Sequence, residues 1–316
     1  MPESNEPSVG GHGSERDGQH GRSHGVVQYI AEIGASHGGN VETALRLVEA
    51  AANAGATCVK GQIGIATLAA ETSPLYDAFQ NLELGENDWV RIAEECANQG
   101  VGFTASPWSV EALAFLVSLD PRPPFIKVGS GDLTYEPMLK AIAATALPVC
   151  LSTGMATEAE IRAALVALGR SLYAGSRFDS ISACTVDYPA AVEDSHVARM
   201  RRLREIGFEY AEHGMDIGYS SHSYDWRVPF YAKQCGADVI EMHLTLDDRS
   251  MREQGALTPE LFSLVTETKV TDADDEYPSP KSMQLQMLGS SALGVHECER
   301  KWLPLARRNP ETGVRA

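Results

Sequence analysis

From residue 26 onward, short apolar runs alternate with longer stretches in which apolar residues recur every three or four positions. The runs are VVQYIAEIG (26–34), TCVKGQ (57–62), VGFTAS (101–106), FIKVGS (125–130), LPVCLS (147–152), FDSISACT (178–185), DIGYSS (216–221) and DVIEMH (238–243). They are short and several are rich in β-branched residues, which predicts strands. The intervening stretches, such as ETALRLVEAAANAG (42–55), NDWVRIAEECANQG (87–100) and TEAEIRAALVALG (157–169), carry the helical period. Gly55, Gly100, Gly169 and Gly236 stand where left-handed caps end helices, and Asn87 and Thr157 where N-caps begin them. Eight strands, each followed by a helix or a loop and a helix, imply parallel pairing through right-handed crossovers. Eight such units over roughly 245 residues match the size of an α/β (β/α)8 TIM barrel, expected here over residues 26–275. A doubly wound open sheet is the alternative, weakened because no GxGxxG follows the first strand.

Composition adds boundaries to this picture. Residues 1–25 hold almost no large apolar residue and no signal-peptide core, so they predict a disordered polar tail. Its His12, His20 and His24 can gather a metal only adventitiously. No apolar run is long enough to span a membrane. With 26 Lys and Arg against 43 Asp and Glu, the net charge of −17 argues against nucleic acid and anionic membranes as partners. The six cysteines, Cys58, Cys96, Cys150, Cys184, Cys235 and Cys298, form no CxxC pair and predict reduced thiols in a cytoplasm.

In a TIM barrel, catalytic groups come from the C-terminal ends of the strands. Here all eight predicted ends are polar: Glu32 and His37; Lys60 and Gln62; Ser106; Lys127, Ser130, Gly131 and Asp132; Ser152 and Thr153; Thr185 and Tyr188; Ser220 and His222; Glu241 and His243. The segments VGSGD (128–132), LSTGM (151–155) and GYSSH (218–222) can offer N–H groups and hydroxyls to a phosphate, or serve as plain turns. Lys60 and Lys127 can neutralise an anion that an acidic protein otherwise repels. His222 and His243 end consecutive strands and can share one divalent metal, with Glu241 orienting His243, or can be ordinary hydrogen-bonded residues. Glu32 suits an acid/base group and equally a structural ion pair with a strand lysine. Tyr188-Pro189 can line a sugar or form a turn, and His37 can cap a helix or touch ligand. PLYDAFQNLEL (74–84) can be a lid or a solvated loop.

At these residues the chain resembles the sialic acid synthase family, the phosphoenolpyruvate-dependent synthases of nine-carbon keto sugar acids. EIGASHGG (32–39), AGATCVKGQ (54–62), FTASPW (103–108), IKVGSGD (126–132), LSTGM (151–155), CTVDYP (184–189), IGYSSHS (217–223) and EMHLT (241–245) follow the family's order over roughly residues 26–270. The resemblance implies a TIM barrel that condenses phosphoenolpyruvate with the open-chain aldehyde of a 2-acylamino sugar, aided by divalent manganese or magnesium. It implies phosphoenolpyruvate contacts at Lys60, Gln62, Ser106, Lys127, Ser130, Gly131, Ser152, Thr153 and Ser220. It also implies metal ligands at His222 and His243 and sugar-facing groups at Glu32 and Tyr188, with Glu32 as acid/base. Lys60, Lys127, Tyr188 and Asp132 complete the expected catalytic set.

The sequence also departs from the family pattern. Gly61 replaces an aromatic or histidine, Asp132 a glutamate, Ser221 an aspartate and Ala183 a histidine. In DDRSMREQGALTPE (247–260) the family's sugar-binding carboxylate has no clear match, Arg252 and Glu253 lying nearest. Residues 276–316 are expected to be a C-terminal extension without the family's antifreeze-like domain. An exposed basic tail is the expectation for Arg307 and Arg308, although either, or Arg252, can replace the arginine that domain supplies. Because these departures cluster on the sugar side of the family's site, an altered acceptor is expected. The alternatives are an aldose phosphate acceptor, suggested by Arg249 and Arg252, and an inactive scaffold barrel. A homodimer is the expected assembly.

Overall fold

The computed structural model describes residues 26–169, 179–211, 215–247, 255–270 and 281–309, together with Gly313 and Arg315. The expected N-terminal tail and the expectations for Arg249, Arg252 and Glu253 lie outside them. The eight strands are β1 (Gln28–Glu32), β2 (Cys58–Ile63), β3 (Gly102–Pro107), β4 (Ile126–Val128), β5 (Val149–Ser152), β6 (Ser180–Cys184), β7 (Asp216–Ser221) and β8 (Val239–His243). Six of the eight predicted runs contain their strand whole, and β2 and β3 each extend one residue past the end of theirs. The hydrogen-bonded order is β3-β2-β1-β8-β7-β6-β5-β4, and every ladder is parallel. Between the two outermost strands of that order, the Thr104 hydroxyl donates to the Phe125 carbonyl at 2.5 Å, bringing the sheet round to a (β/α)8 barrel.

Alternation along each strand divides the barrel into an outer and an inner packing surface. Outward residues such as Ala31, Val59, Phe103, Ile126, Leu151, Ile181, Tyr219 and Ile240 join Leu47, Ile92, Leu116, Ile142, Leu165, Leu203 and Phe230 of the helices in the main core. Inside the barrel, Ile30, Cys58, Phe125, Cys150 and Val239 form a separate apolar plug. Two residues further along, the inward positions become polar: Glu32, Lys60, Lys127 and Glu241 are charged, and Ser152 carries a hydroxyl.

The helices between the strands begin with α1 (Val41–Asn53), α2 (Tyr76–Leu82), α3 (Glu86–Asn98), α4 (Val110–Ser118), α5 (Glu136–Ala143), α6 (Glu158–Leu168), α7 (Arg199–Tyr210) and α8 (Arg227–Gln234). Thr157 caps α6 in a full capping box with Glu160. Asn87 does not cap α3, which starts one residue earlier behind Gly85. The four predicted capping glycines all have positive φ, from 51° to 85°. All six cysteines are free. No described helix is long and apolar enough to cross a membrane.

Candidate active site

The charged inward layer meets at the C-terminal mouth. Register sets Glu32 of β1 beside Lys60 of β2 on one side and His243 of β8 on the other. The Lys60 ammonium lies 2.5 Å from Glu32 Oε2 and 3.1 Å from Glu241 Oε1, and Lys127 lies 2.5 Å from Glu241 Oε2. Burial opposes the charge on Lys60, but Glu241 and Glu32 outweigh it and hold its pKa well above the ordinary lysine range. Burial likewise opposes the charge on Glu241, yet Lys127 and Lys60 keep its carboxyl well below the usual carboxylate range. Glu32 also accepts from the Gly34 N–H at 2.5 Å and from Gln62 Nε2 at 3.3 Å. Both readings of Glu32 therefore meet in one place: it is ion-paired with a strand lysine and it faces the cavity.

That cavity encloses about 320 Å³ and is lined by Glu32, Lys60, Gln62, Ser106, Lys127, Ser130, Gly131, Ser152, Tyr188, Ser220, His222 and His243. Ser220 donates to Glu241 at 3.3 Å, whereas the buried Ser152 hydroxyl has no partner among the described residues. A buried orphan hydroxyl at a cavity wall is what a ligand acceptor would satisfy. Two expected site residues do not line the cavity. Thr153 turns away and donates its hydroxyl to the Ser182 carbonyl at 3.0 Å. Asp132 is buried and held by Arg308 at 3.0 and 3.2 Å, with Arg315 at 3.7 Å, so it anchors the C-terminal segment.

His222 and His243 stand with ring centroids 5.1 Å apart. Tyr188 lies over His222 at 4.1 Å. His222 Nδ1 is 2.7 Å from the Thr185 carbonyl, which requires a proton on that nitrogen and leaves Nε2 as a free lone pair. Burial pushes the His222 pKa down to about 4 and that of His243 well below its ordinary value, which favours the neutral form of both rings. Two neutral imidazoles, one with its tautomer set by a backbone acceptor, fit a divalent metal that takes its other ligands from substrate and water. Glu241 serves the two lysines and Ser220 and has no hydrogen bond to His243 among those described, contrary to the orienting role expected of it. The one group of three His, Cys, Asp or Glu side chains close enough to share a metal among the described residues is Asp187, Asp194 and Cys298. Asp187 there is already engaged by Trp302 Nε1 at 2.7 Å and Lys301 at 2.8 Å.

The departures from the family pattern look different in three dimensions. Gly61, Ala183 and Ser221 lie on the outward parity of their strands, one residue from the inward Lys60, Cys184 and Ser220. A Cβ on Gly61 would meet the Trp89 ring at 2.5 Å, so Trp89 already fills that space. Ala183 belongs to the core between strands and helices, and Ser221 accepts from the Ser223 N–H at 3.3 Å. None of the three touches the cavity, which removes them as grounds for an altered acceptor. His37 is a turn residue, its Nδ1 accepting from the Gly39 N–H at 3.0 Å, and Asn40 caps α1 instead.

Residues 74–84 form one cavity wall, with Leu75, Phe79 and Leu82 facing it. The lining also includes Trp302, Leu305, Ala306 and Arg315, so the expected exposed basic tail is corrected. Arg308 is buried, and Arg315 bridges to Ala69 with its guanidinium 4.5 Å over the Trp108 ring. These residues were missed because their segment has no strand–helix period. The available signal was the Trp302, Leu303 and Leu305 cluster inside an otherwise polar tail.

Residues 47–271 match the NeuB family. An N,N'-diacetyllegionaminic acid synthase of Legionella pneumophila is 33% identical over 69% of this chain and 64% of that protein. An N-acetylneuraminate-9-phosphate synthase of Drosophila melanogaster is 32% identical over 70% of this chain and 60% of that protein. The chain thus spans less than two thirds of the length of these two relatives. The crystal structure of an N-acetylneuraminic acid synthetase from Leptospira borgpetersenii, in complex with citrate, superposes with a TM-score of 0.68. It is 26% identical, with 88% of this chain and 90% of that one covered.

Proposed function

The chain belongs to the NeuB family of sialic acid synthase-like proteins, and from that premise we propose that it joins phosphoenolpyruvate to the open-chain aldehyde of a 2-acylamino aldose. The products are a 2-keto-3-deoxy sugar acid and inorganic phosphate. The observation that carries this reading is the convergence of Lys60, Lys127, Ser106, Ser130, the unpartnered Ser152 hydroxyl and two neutral histidines on one cavity. Lys60 has two carboxylate partners and Lys127 one, so their three-donor ammonium groups retain N–H donors for a phosphate or carboxylate. Hydroxyls and N–H groups of the Ser130 and Ser152 turns add donors without adding charge.

In the reaction C3 of phosphoenolpyruvate bonds to the aldehyde carbon, water adds at C2, and the C2–O bond breaks to release phosphate. Glu32 is the residue able to move a proton: its carboxylate reaches the cavity while Lys60, Gln62 and Gly34 fix its position. His222 and His243 would hold the divalent metal, which supplies Lewis-acid polarisation of the aldehyde oxygen. Tyr188 shields His222, and the wall of Leu75, Phe79 and Leu82 excludes water from that side.

Arg315 favours a second acceptor class. Its Nε is buried without a partner among the described residues, and its side chain lines the cavity, as a phosphorylated aldose would require. Both readings are tested by phosphate release from phosphoenolpyruvate with manganese across aldoses and aldose phosphates, with mass spectrometry of the products. A new acid heavier than its aldose by the pyruvate unit supports the synthase and identifies the acceptor class. If phosphoenolpyruvate neither binds nor turns over, the reading fails and the inactive scaffold takes its place.

A further inference from the structure

Directly after Ser152, the last residue of β5, the chain turns through Met155, a non-glycine residue with φ of 59° and no solvent exposure. A left-handed backbone at a bulky residue costs free energy and persists only where its surroundings over-determine it. Here the restraint comes from a segment nearly 150 residues away in sequence. Glu299 Oε1 accepts from the Met155 N–H at 3.1 Å, and Arg307 Nη2 donates to the Met155 carbonyl at 2.5 Å. Both backbone polar groups of one strained residue are therefore held by the C-terminal segment. Arg307 also reaches Glu160, which closes the capping box of α6 just beyond the turn.

The same Glu299 oxygen accepts from the Val186 N–H at 3.0 Å, in the loop leading to Tyr188. Its second oxygen accepts from the His296 N–H at 2.9 Å and lies 3.4 Å from Arg199 Nη2. Arg199 in turn donates to the carbonyl of Cys184, the last residue of β6, at 2.7 Å. Apolar packing reports the same junction independently: Met155, Cys184 and Val186 form a cluster of their own, covered by Val295, Trp302, Leu303 and Ala306. The turn also leans on its neighbour, since the Gly154 N–H donates to Ser130 Oγ at 3.0 Å.

We propose that Glu299 and Arg307 are positioning residues for the active site, holding the Ser152 turn and the Tyr188 loop in register through the backbones of Met155 and Val186. The inference rests on the proposed phosphoenolpyruvate site for its ligand. Glu299 does not itself line the cavity; it is buried at the meeting point of two loops and the C-terminal segment. Because Arg307 grips only the Ser152 turn whereas Glu299 grips both, the two residues have different signatures. Losing Arg307 weakens phosphoenolpyruvate alone. Losing Glu299 weakens phosphoenolpyruvate and also raises KM for the aldose through Tyr188.

The test combines amide hydrogen exchange by mass spectrometry with calorimetric titration of phosphoenolpyruvate, using the full chain. In Glu299→Ala, exchange should accelerate at least tenfold in peptides spanning 153–156 and 184–188 while β1 and α1 are unchanged, and phosphoenolpyruvate affinity should fall at least tenfold. Glu299→Gln, which keeps one carbonyl oxygen for the two amides, should fall between Ala and wild type. Arg307→Met should accelerate exchange only around 153–158, with partial recovery in Arg307→Lys. Arg300→Ala, in the same segment but on its exposed face, should match wild type. A folded Glu299→Ala with wild-type exchange in both loops, or with affinity within twofold of wild type, overturns the proposal. If Glu299→Ala does not fold, wild-type exchange around 153–158 in Arg307→Met overturns it instead. Should the wild-type chain not bind phosphoenolpyruvate, the functional reading falls, and the exchange data alone decide whether these residues position the turns.

Discussion

The barrel interior has two layers built from neighbouring positions on the same strands. The lower one, Ile30, Cys58, Phe125, Cys150 and Val239, is apolar and sealed. The upper one holds Glu32, Lys60, Lys127 and Glu241 in an ion-paired cluster open to the cavity. Ile30 and Glu32, or Cys58 and Lys60, are one pleat apart, yet one of each pair is a packing residue and the other a chemical one. Burial is nearly the same in both layers, so what separates them is pairing. Buried charges persist where each is matched by an opposite charge and by hydrogen bonds. The apolar layer makes that possible by keeping water from the underside of the cluster.

The largest break of this contrast is expected at its rim. His243→Ala should remove metal binding and reduce turnover below detection, checked by metal content and phosphate release. Normal metal stoichiometry with near-native turnover would refute the assignment of His243. Glu241→Ala comes next, because it leaves two buried lysines short of a partner. It should cost about 3–5 kcal/mol of stability, measured by denaturant unfolding, and turnover should fall as well. A loss below roughly 1 kcal/mol would mean that water already reaches the pair.

The remaining two substitutions test packing without chemistry. Gly61→Ala should destabilise by about 1–3 kcal/mol through collision with Trp89. KM for phosphoenolpyruvate should stay at the wild-type value, even though the neighbours of Gly61 are Lys60 and Gln62. Ile30→Val, in the lower layer, should cost about 0.5–1.5 kcal/mol and leave activity per folded molecule unchanged. A change in either KM for Ile30→Val would show that the layers are mechanically coupled, and the division drawn here would fail.

Much of the site was legible because the strand period is two and the barrel mouth collects strand ends. Lys60, Gln62, Ser106, Ser220 and His243 needed only that rule. At Gly61, Ala183 and Ser221 the same rule takes a residue next to a cavity-lining position to the outward side of its strand. Asp132 failed for another reason. It lies in a short helical turn whose direction follows from Arg308, more than 170 residues later. No local pattern announces such a partner, and the same is true of Glu299 with Met155 and Val186.

Local sequence encodes the periodic part: eight strands, their helices, the capping glycines and the ring of polar ends. Those depend on interactions within a few residues, which periodicity and capping chemistry encode directly. Folding in three dimensions selects which polar residues meet the cavity, joins Glu241 to Lys60 and Lys127, and brings the C-terminal segment to the cavity wall. Those outcomes rest on contacts between distant parts of the chain, chosen by burial and charge pairing once the barrel has formed.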